Sequence, residues 1–399
     1  MRQVLSLLAI AIPALGQAQT PQPPAQIAPE ADSIRVLVGR LDLERYKATI
    51  RDLTRFGDRR QGTQRNRDAI AWIEAQLRSY GCPTERMSYE YTGRQIRQPG
   101  DTAGPRRTTR PRPTRFPQKG HRGPTGVNLD PNRQPDTALR RINAEPDTPG
   151  PREQVYCTKV GTTRPDEMYI LGAHMDGHGF GAAANDDGSG TALVMELARI
   201  FSMPDVETDR TIRFVLWNNE ETDLNGARAY VAQRAALQGK ENPPGSGKYP
   251  EPRWIAMIQH DMMLFDHGMP GPDGKVSPEQ RREADVNIEF RGDSKFAEEA
   301  QRLAWFFRRA NDRYATDYPA AVGDRMSSTD SQAFLDHAPA LSLRENERLA
   351  HIGTGWNPHW HQPTDVYETY SDPDFRLGLN AAQTTLAAVA QLAGARIKR

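Results

Sequence analysis

Cysteine is nearly absent from this sequence of 399 residues, which contains two, Cys82 and Cys157. Two thiols this far apart in the chain cannot by themselves form a cysteine-based metal cluster. A metal site in this protein must therefore be built from histidine and carboxylate side chains. In an oxidising compartment the two cysteines permit one disulfide but do not require it.

The sequence also lacks an excess of charge of either sign and, after its first residues, any long apolar run. Its 52 basic and 51 acidic side chains almost cancel, so overall charge does not indicate binding to nucleic acid or to an anionic membrane. No later segment has the roughly 20 apolar residues of a membrane-spanning helix. We expect no nucleic-acid partner and no membrane association of the mature chain, and the sequence does not indicate an oligomeric state.

The first residues have the pattern of an export signal. The charged start MRQ precedes the apolar stretch VLSLLAIAIPAL, and the small residues of GQA follow it. This order fits a signal peptide with its cleavage site, and the apolar stretch is too short for a membrane anchor. We predict a signal peptide over 1–18, a leader over 19–40 and a single domain over 41–399, which is exported to the periplasm or secreted.

The apolar pattern of the domain predicts alternating strands and helices. Helical spacing occurs over 33–56 and 66–80, and later helices are predicted to begin near 189, 226, 295 and 375. Between them lie the strand-like stretches QVYCTKV, EMYILGAH, TIRFVLWN and WIAMIQHD. This alternation is typical of an α/β fold with a central mixed, largely parallel β-sheet and helices on both faces. In such sheets binding groups collect beyond the carboxyl ends of the strands.

Residues from about 93 to 152 interrupt this alternation. The segment is rich in proline and arginine and has almost no apolar periodicity, which is the composition of a segment without its own core. We interpret it as an insertion into the domain. Its arginines are expected to lie in a solvated basic loop, and binding of a polyanion is the alternative.

Side chains that bind metals follow three of the predicted strands. His174 ends EMYILGAH, with Asp176 two positions later, and Asp261 ends WIAMIQHD. The stretch LWNNEETDLNGARAY sets Glu220 and Glu221 side by side where another strand ends. Adjacent carboxylates repel each other, so either water or a cation must offset their charge.

Two further stretches add histidine and aspartate. AANDDGSG places Asp186 and Asp187 before a predicted helix, where N-capping explains one acidic residue but not two. WNPHWHQPTD supplies His359 and His361 near the end of the chain. Histidine and carboxylate ligands without thiolates suit zinc, and a carboxylate shared by two ions is typical of dinuclear hydrolytic sites.

In this order and spacing, HMD, NDDGSG, NNEE, HD and WHQPTD resemble the metal-binding framework of the M28 family of zinc metallopeptidases, the family of bacterial leucyl-type aminopeptidases. The resemblance extends from about residue 41 to the end of the chain, except for the insertion. Each motif alone is weak, but five in one order on a matching alternation of elements are specific. The resemblance implies the fold of the zinc-dependent exopeptidases and an aminopeptidase that removes N-terminal residues from peptide substrates.

The resemblance also implies the ligands of two zinc ions. His174 and Asp261 would hold one ion, Glu221 and His361 would hold the other, and Asp186 would bridge the two. Such a pair of ions activates a water molecule for attack on the peptide bond.

Two carboxylates would act without binding metal. The resemblance implies that Glu220 is the general base for the metal-activated water and that Asp176 stands behind His174. It further implies a cis peptide bond between Asp186 and Asp187.

Other histidines compete for these roles. We favour His361 over His359 because His-x-Pro-x-Asp is the family-like arrangement, with Asp365 placed to support the loop. His178 and His260 rank lower. His260 immediately precedes a predicted ligand on an extended strand, so its side chain should point to the opposite face.

One stretch departs from the family pattern. Some members have a tyrosine shortly before a Ser-Asp-His motif, where it steadies the tetrahedral oxyanion. In this chain Asp330 is followed by Ser331, and Met326 stands near the position of the tyrosine. In place of the tyrosine, the oxyanion would be stabilised by zinc alone, by Arg325 or by Arg344.

Three other functions are compatible with parts of the pattern. A glutaminyl cyclase-like enzyme shares the acidic pair and the late histidine but works with one zinc ion. An M20-type carboxypeptidase or deacylase carries an additional lid domain, for which the segment 262–360 is too short. A non-catalytic binding protein on a peptidase scaffold would lack ligands, and none of the five is missing here.

Overall fold

The structure, a computed structural model, describes residues 32–98, 126–265, 286–345 and 357–398. Its helices are α1 (Ser33–Val38), α2 (Leu43–Thr54), α3 (Gln64–Ser79), α4 (Thr137–Asn143), α5 (Gly188–Phe201), α6 (Asn225–Arg234), α7 (Ala297–Tyr314) and α8 (Asp372–Leu392). Its strands are β1 (Thr84–Tyr91), β2 (Gly150–Lys159), β3 (Arg164–His174), β4 (Val206–Glu207), β5 (Arg210–Trp217), β6 (Arg253–His260), β7 (Val286–Glu289), β8 (Ala320–Gly323), β9 (Ala340–Glu345) and β10 (Arg396–Ile397). The predicted signal peptide lies outside the described residues.

The main sheet has the strand order β1-β2-β5-β3-β6-β9-β7-β8. Its central strands β5, β3, β6 and β9 run parallel to one another, and β7 runs parallel to β8. The pairs β1–β2, β2–β5 and β7–β9 are antiparallel. The prediction of a mixed, largely parallel sheet is therefore confirmed. Because β5, β3, β6 and β9 are parallel neighbours, their carboxyl ends meet at one edge of the sheet.

Alternate residues of β3 show that helices cover both faces of the sheet. Tyr169 and Leu171 belong to a core that also contains side chains of α2, α3, α5, α7 and α8. Met168 and Ile170 belong to a second core, which they share with α6. Since successive side chains of a strand point to opposite faces, these two cores lie on opposite sides of the sheet.

The helical pattern over 33–56 forms two helices. The chain turns after α1, and Asp42 begins α2 by accepting a hydrogen bond from the backbone N–H of Arg45 at 2.9 Å. An aspartate at this position satisfies a backbone donor that a helix start leaves unpaired. The compact unit of the chain includes residues from Ser33 onwards, so α1 belongs to it although the predicted leader extends to residue 40.

The predicted insertion over 93–152 has an ordered second half. Residues 99–125 lie outside the described part, while residues 126–152 contain α4 and the start of β2. We call residues 126–147 the bridging segment. Its amide side chains Asn128, Gln134 and Asn143 are buried. This half therefore packs against the rest of the protein, which differs from the expected solvated loop.

The two cysteines form a disulfide. Cys82 follows α3, Cys157 lies in β2, and their Cα atoms are 5.6 Å apart. Within the four described ranges, the helices are all too short or too polar to cross a membrane.

Candidate metal centre

The predicted ligands lie together at the carboxyl ends of the central parallel strands. His174 is the last residue of β3, Glu220 and Glu221 lie in the short turn after β5, and Asp261 follows β6 directly. Asp186 precedes α5, which follows β3 in the chain. The five predicted metal ligands are all largely buried. Parallel pairing of the three strands therefore brings together side chains that are far apart in sequence.

His174 is oriented so that one ring nitrogen is available to a cation. Its Nδ1 donates a hydrogen bond to the carbonyl oxygen of Asp176 at 2.9 Å. Because a carbonyl can only accept, Nδ1 carries the proton and Nε2 keeps its lone pair. Nε2 lies 3.3 Å from Oδ1 of Asp186 and 3.8 Å from Oδ1 of Asp261.

Asp176 lies behind His174, but its carboxylate has a different partner. The carboxylate oxygen Oδ1 is 4.0 Å from Nδ1 of His174, and it accepts a hydrogen bond from the backbone N–H of Glu220 at 3.1 Å. Burial and the charge of Glu221 raise the pKa of Asp176 to about 6, although His174 opposes the shift. The backbone of Asp176 thus orients His174, while its side chain fixes the acidic pair.

Asp186 presents its two oxygens to two different histidines. Oδ1 faces His174, as given above, and Oδ2 lies 3.0 Å from Nε2 of His361. The loop that carries Asp186 is held by Asp365, which accepts hydrogen bonds from the backbone N–H groups of Asn185 at 2.8 Å and Asp186 at 3.1 Å. The carboxylate of Asp186 is therefore fixed between the two rings.

The peptide bond between Asp186 and Asp187 is cis, as the resemblance implies. Asp187 does not share the role of its neighbour. Its carboxylate accepts hydrogen bonds from the backbone N–H groups of His174, Gly190 and Met262 at 3.1, 2.9 and 3.1 Å. Asp187 caps α5 and ties it to the strand ends.

His361 and Glu221 form the second half of the cluster. Nε2 of His361 lies 3.0 Å from Oε2 of Glu221. Nε2 of His178 lies at the same distance, 3.0 Å, from this oxygen. We call His174, Asp186 and Asp261 the His174 group, and Asp186, Glu221 and His361 the His361 group. Asp186 belongs to both.

Arg344, at the end of β9, is the cation closest to these carboxylates. It is buried and donates hydrogen bonds to Oδ2 of Asp261 and to the carbonyl oxygen of Ser328. Arg325, the other arginine considered for the oxyanion, is exposed. Met326 and Ser331, which stand near the family tyrosine and histidine, are buried and contact each other.

Electrostatics of the cluster favour a bound cation. Burial alone would lower the pKa of His361, but Glu221 and Asp186 raise it to about 10. The pKa of His174 is likewise raised well above its ordinary value by Glu220, Asp186 and Asp261, against the effect of burial. The carboxylates thus outnumber the cations, and buried negative charge of this kind requires compensation.

The donor atoms fit zinc. Two ligands on one tetrahedral zinc ion, each about 2.0–2.2 Å from the metal, lie roughly 3.3 Å apart. The separations between a histidine nitrogen and a carboxylate oxygen in the two groups run from 3.0 to 3.8 Å. In addition, Oε1 of Glu221 is buried and makes no hydrogen bond to any described residue. Histidine nitrogens and carboxylate oxygens are the ligands that zinc takes when cysteine is absent.

Two of the competing histidines, His260 and His359, have other partners. His260 is buried on the opposite face of β6, where Nδ1 donates to the carbonyl oxygen of Gly172 at 3.1 Å and Nε2 lies 2.9 Å from Oγ1 of Thr385. Nδ1 of His359 lies 2.9 Å from Oγ1 of Thr364. Neither ring belongs to the His174 group or the His361 group.

The bridging segment holds the site loops together, and sequence reasoning missed this role. Gln134 donates hydrogen bonds to the carbonyl oxygens of Phe180 at 2.8 Å and Pro363 at 2.9 Å, which join the loop after β3 to the loop of His361. Asn143 donates to the carbonyl oxygen of Gly181 at 2.6 Å. A single buried amide in a polar segment leaves no periodic signal, so the sequence offered no means of finding these residues.

A comparison with curated proteins finds short local similarity. The chain is 42% identical over 67 residues to aminopeptidase YwaD of Bacillus subtilis, a match that covers 17% of this chain and 14% of that protein. The matched segments of the first three curated relatives cover 14–20% of their lengths.

Solved structures share the fold over nearly the whole chain. An aminopeptidase from Aneurinibacillus sp. strain AM-1 has a TM-score of 0.57 and 18% identity, with 92% of this chain and 97% of that chain covered. The glutaminyl cyclase of Porphyromonas gingivalis has a TM-score of 0.53 and 16% identity, with 88% and 98% covered. The sequence model of Peptidase family M28 matches residues 155–379, which include both metal groups and more than half of the chain. The protein therefore belongs to peptidase family M28.

Proposed function

We propose that this protein is an exported aminopeptidase with two zinc ions, which hydrolyses the N-terminal peptide bond of peptide substrates. The observation that carries the proposal is the position of Asp186, whose separate oxygens face His174 at 3.3 Å and His361 at 3.0 Å. A carboxylate used in this way is the natural bridge of a dinuclear site. The His174 group and the His361 group would each hold one ion.

Zinc bound there supplies Lewis acidity, which lowers the pKa of a coordinated water to about 7 and polarises a peptide carbonyl. The chain's own residues position the groups that move protons. Glu220 is not part of either metal group, and its backbone is fixed by Asp176. Burial and the charge of Glu221 raise the pKa of Glu220 well above its ordinary value, although His174 opposes the shift. Glu220 accepts a proton from the attacking water and passes it to the leaving amine.

Removal of an N-terminal residue, rather than cleavage within a chain, is proposed from the relatives. Aminopeptidases occur among both the curated proteins and the solved structures that resemble this chain. An exopeptidase site must recognise the free amino group of the substrate. The sequence suggests the loops over 264–276 and 344–356 as walls of the side-chain pocket, and residues 266–276 and 346–356 of these loops lie outside the described part.

Export is proposed from two independent observations. The first 18 residues have the pattern of a signal peptide, and the protein contains a disulfide between Cys82 and Cys157. Disulfides persist in the periplasm and outside the cell but are rare in the reducing cytosol. N-terminal sequencing of the protein from an expressing culture should find a mature chain that begins near residue 19.

The activity is tested with a panel of aminoacyl-p-nitroanilides and the same compounds with an acetylated amino group. We expect release from the free amines, loss of release after treatment with 1,10-phenanthroline, recovery with zinc, and no release from the acetylated compounds. Elemental analysis of the active protein should give two zinc ions per chain. Hydrolysis that resists the chelator, or equal hydrolysis of the acetylated compounds, would contradict the proposal.

A glutaminyl cyclase-like function is the second candidate, because the fold also resembles that of a glutaminyl cyclase. The two candidates differ in metal content and product. A cyclase would convert an N-terminal glutamine to pyroglutamate with one zinc ion and release no amino acid. Mass spectrometry of a glutaminyl peptide after incubation distinguishes ring closure, a loss of ammonia, from release of free glutamine.

A further inference from the structure

His178 lies at the metal centre although it is not among the five ligands that the resemblance implies. It belongs to the loop that follows β3, four residues after His174. Its Nε2 is 3.0 Å from Oε2 of Glu221, and its ring meets the ring of His361 edge to face with centroids 4.0 Å apart. The two imidazoles and the carboxylate therefore surround one small volume.

The contact between His178 and Glu221 is not a hydrogen bond. Nε2 of His178 is buried and makes no hydrogen bond within the described part of the chain, and the same holds for Oε1 of Glu221. A buried polar atom without a partner costs about 1–3 kcal/mol. At 3.0 Å the two groups are close enough to bond but are not aligned for it. Nε2 of His178 and Oε2 of Glu221 therefore converge without a hydrogen bond between them. Two ligand atoms of one metal ion are arranged in this way.

The local backbone is built for this approach. Gly179 has a positive φ of 93°, and a Cβ atom there would lie 2.3 Å from the carbonyl oxygen of His361. Only glycine allows the loop of His178 to pass so close to the loop of His361. Asn128 fastens the two loops, because its backbone N–H donates to the carbonyl of His361 at 3.0 Å and its side chain donates to that of Gly179 at 3.3 Å.

We propose that His178 is a further ligand of the zinc ion in the His361 group. This inference rests on the proposed function, since it assumes that the group holds zinc. With His178, that ion would have four protein ligands: His178, Glu221 and His361, whose ligand atoms all lie within 4.8 Å of one another, and Asp186, which lies 3.0 Å from His361. The ion of the His174 group has three, listed as His174, Asp186 and Asp261.

Four protein ligands complete the tetrahedral shell that zinc prefers, whereas three leave a position open to water or substrate. The two ions are then unequal. The ion of the His361 group is held more firmly and has its shell filled by the protein, and the ion of the His174 group keeps the open position next to Glu220. The substrate carbonyl and the attacking water are therefore expected on the side of His174.

The alternative role of His178 is that of a cation paired with Glu221, which requires no zinc in the His361 group. The two roles differ in the number of imidazoles bound to metal. X-ray absorption spectra of the two-zinc wild-type protein count imidazole ligands through their multiple scattering. Three imidazoles shared by two ions support the proposal, and two imidazoles overturn it. This measurement needs no variant and no enzyme activity.

Zinc affinity gives the second test. Three metal-free proteins are titrated with zinc against a competing chelating dye: the wild type, His178→Gln and the control His359→Gln. His359 is a suitable control because it is a loop histidine outside both metal groups. Since loss of a residue that merely supports a ligand costs about 10- to 100-fold in affinity, loss of a ligand should weaken one of the two ions by about 100-fold or more. The control should retain both affinities, and thermal unfolding of the metal-free variants checks that each is folded.

The outcomes separate this inference from the proposed function. If the wild type binds two ions and shows chelator-sensitive hydrolysis while His178→Gln keeps both affinities, the inference is wrong and the proposed function stands. If the wild type binds a single ion in the His174 group, both are wrong. If His178→Gln loses the tighter ion and His359→Gln does not, the inference is supported.

Discussion

Glu220 and Glu221 are adjacent in the chain, yet their side chains meet different surroundings. Glu221 lies against His178 and His361 through one oxygen. Glu220 contacts neither histidine, and its backbone N–H is held by the carboxylate of Asp176. In the proposed mechanism the repulsion between these neighbouring carboxylates is offset because Glu221 binds a zinc ion, while Glu220 exchanges a proton. Substitution of these two glutamates is therefore the most direct test of the proposed mechanism.

Glu220→Gln keeps the size and hydrogen-bonding capacity of the side chain but removes its ability to accept a proton. We expect the rate of aminoacyl-p-nitroanilide hydrolysis to fall by about 10²- to 10⁴-fold, the usual contribution of a general base. The zinc content should not change, because Glu220 is outside both metal groups. Steady-state kinetics and elemental analysis on the same preparation measure the two quantities.

Glu368→Gln is the matched control, because Glu368 is exposed in the short turn before α8. It should retain full activity and full zinc content. If Glu220→Gln also retained full activity with normal zinc, another group would be the base. If it lost zinc, Glu220 would be a ligand and the roles of the two glutamates would have to be exchanged.

His260 predicts a dependence of stability on pH that does not involve the metal groups. Its burial lowers its pKa to about 4, although the hydrogen bond to the carbonyl of Gly172 opposes the shift. In the unfolded chain the pKa is about 6.5. The unfolded state therefore binds a proton more readily, so the stability due to neutral His260 is complete above pH 6.5 and is lost as the pH falls towards 4.

The resulting loss is about 2 kcal/mol in the free energy of unfolding between pH 7 and pH 5. Urea unfolding of metal-free wild type and His260→Gln at both pH values measures it, since subtraction removes the contributions of all other titrating groups. The variant should be less stable at pH 7 and should lose about 2 kcal/mol less than the wild type on acidification. Equal losses in the two proteins would mean that His260 titrates normally in the folded state.

At the scale of elements, the bridging segment connects loops that no strand or helix joins. Gln134 is its central residue, because its amide group donates to one carbonyl in the loop after β3 and to another in the loop of His361. Gln134 is buried, so water cannot replace these bonds readily. The position of His361 relative to His174 therefore depends on an amide far from either residue in sequence.

Gln134→Ala removes both of these hydrogen bonds and leaves two carbonyl oxygens without their partner. It also removes the bond that the side-chain oxygen accepts from the backbone N–H of Asp136 at 3.0 Å. We expect the free energy of unfolding to fall by about 1–3 kcal/mol and zinc affinity of the His361 group to fall by about 10-fold, as for loss of a residue that supports a ligand. Urea unfolding of the metal-free protein and zinc titration against a chelating dye measure these effects separately.

Gln233→Ala is the control for this substitution. Gln233 also donates its side-chain amide to a backbone carbonyl, that of Ser88 at 3.0 Å, but it is exposed. Its loss should change the free energy of unfolding by less than about 0.5 kcal/mol and leave zinc binding unchanged. If both glutamine variants bound zinc like the wild type, the bridging segment would stabilise the fold without positioning the site.

The elements that periodicity predicts are those in which residues at a regular spacing share one environment. The strands ending in His174, Trp217 and His260 alternate between two cores, and α5 and α8 carry apolar residues over most of their surface. Short elements such as α4 and β8 lack such a pattern, because their bonds are made to distant parts of the chain. Asn143 illustrates this: it accepts from the backbone N–H of Asp58 and donates to Gly181, neither of which is near it in sequence.

At the scale of the whole molecule, the sheet order explains why the predicted ligands meet. The resemblance named the five candidate ligands, and strand ends gave most of them a common edge, because β5, β3 and β6 are parallel neighbours. The sequence could not supply the distances. The convergence of His178 on Glu221 depends on loop paths that only tertiary packing decides.

The disulfide joins the two sides of the predicted insertion. Cys82 and Cys157 are 75 residues apart, so the closed loop contains all of the stretch over 93–152. Thr84, two residues after Cys82, pairs with Cys157 in the β1–β2 ladder. The bond therefore reinforces contacts that the sheet already makes, and it restricts mainly the unfolded chain.

Replacement of both cysteines by alanine should lower the free energy of unfolding by about 4 kcal/mol, the chain-entropy value for a loop of this length. Zinc content and specific activity at low temperature should remain unchanged, because both cysteines lie outside the metal groups and the β1–β2 ladder is retained. Urea unfolding of the wild type with and without a reductant, beside the double variant, measures the effect. Reduction should bring the wild type close to the variant and leave the variant unaffected. The free energy of unfolding of the wild type could instead be unaffected by the reductant and equal to that of the variant. The disulfide would then contribute nothing to stability, and β1 and β2 would be held by their ladder and core alone.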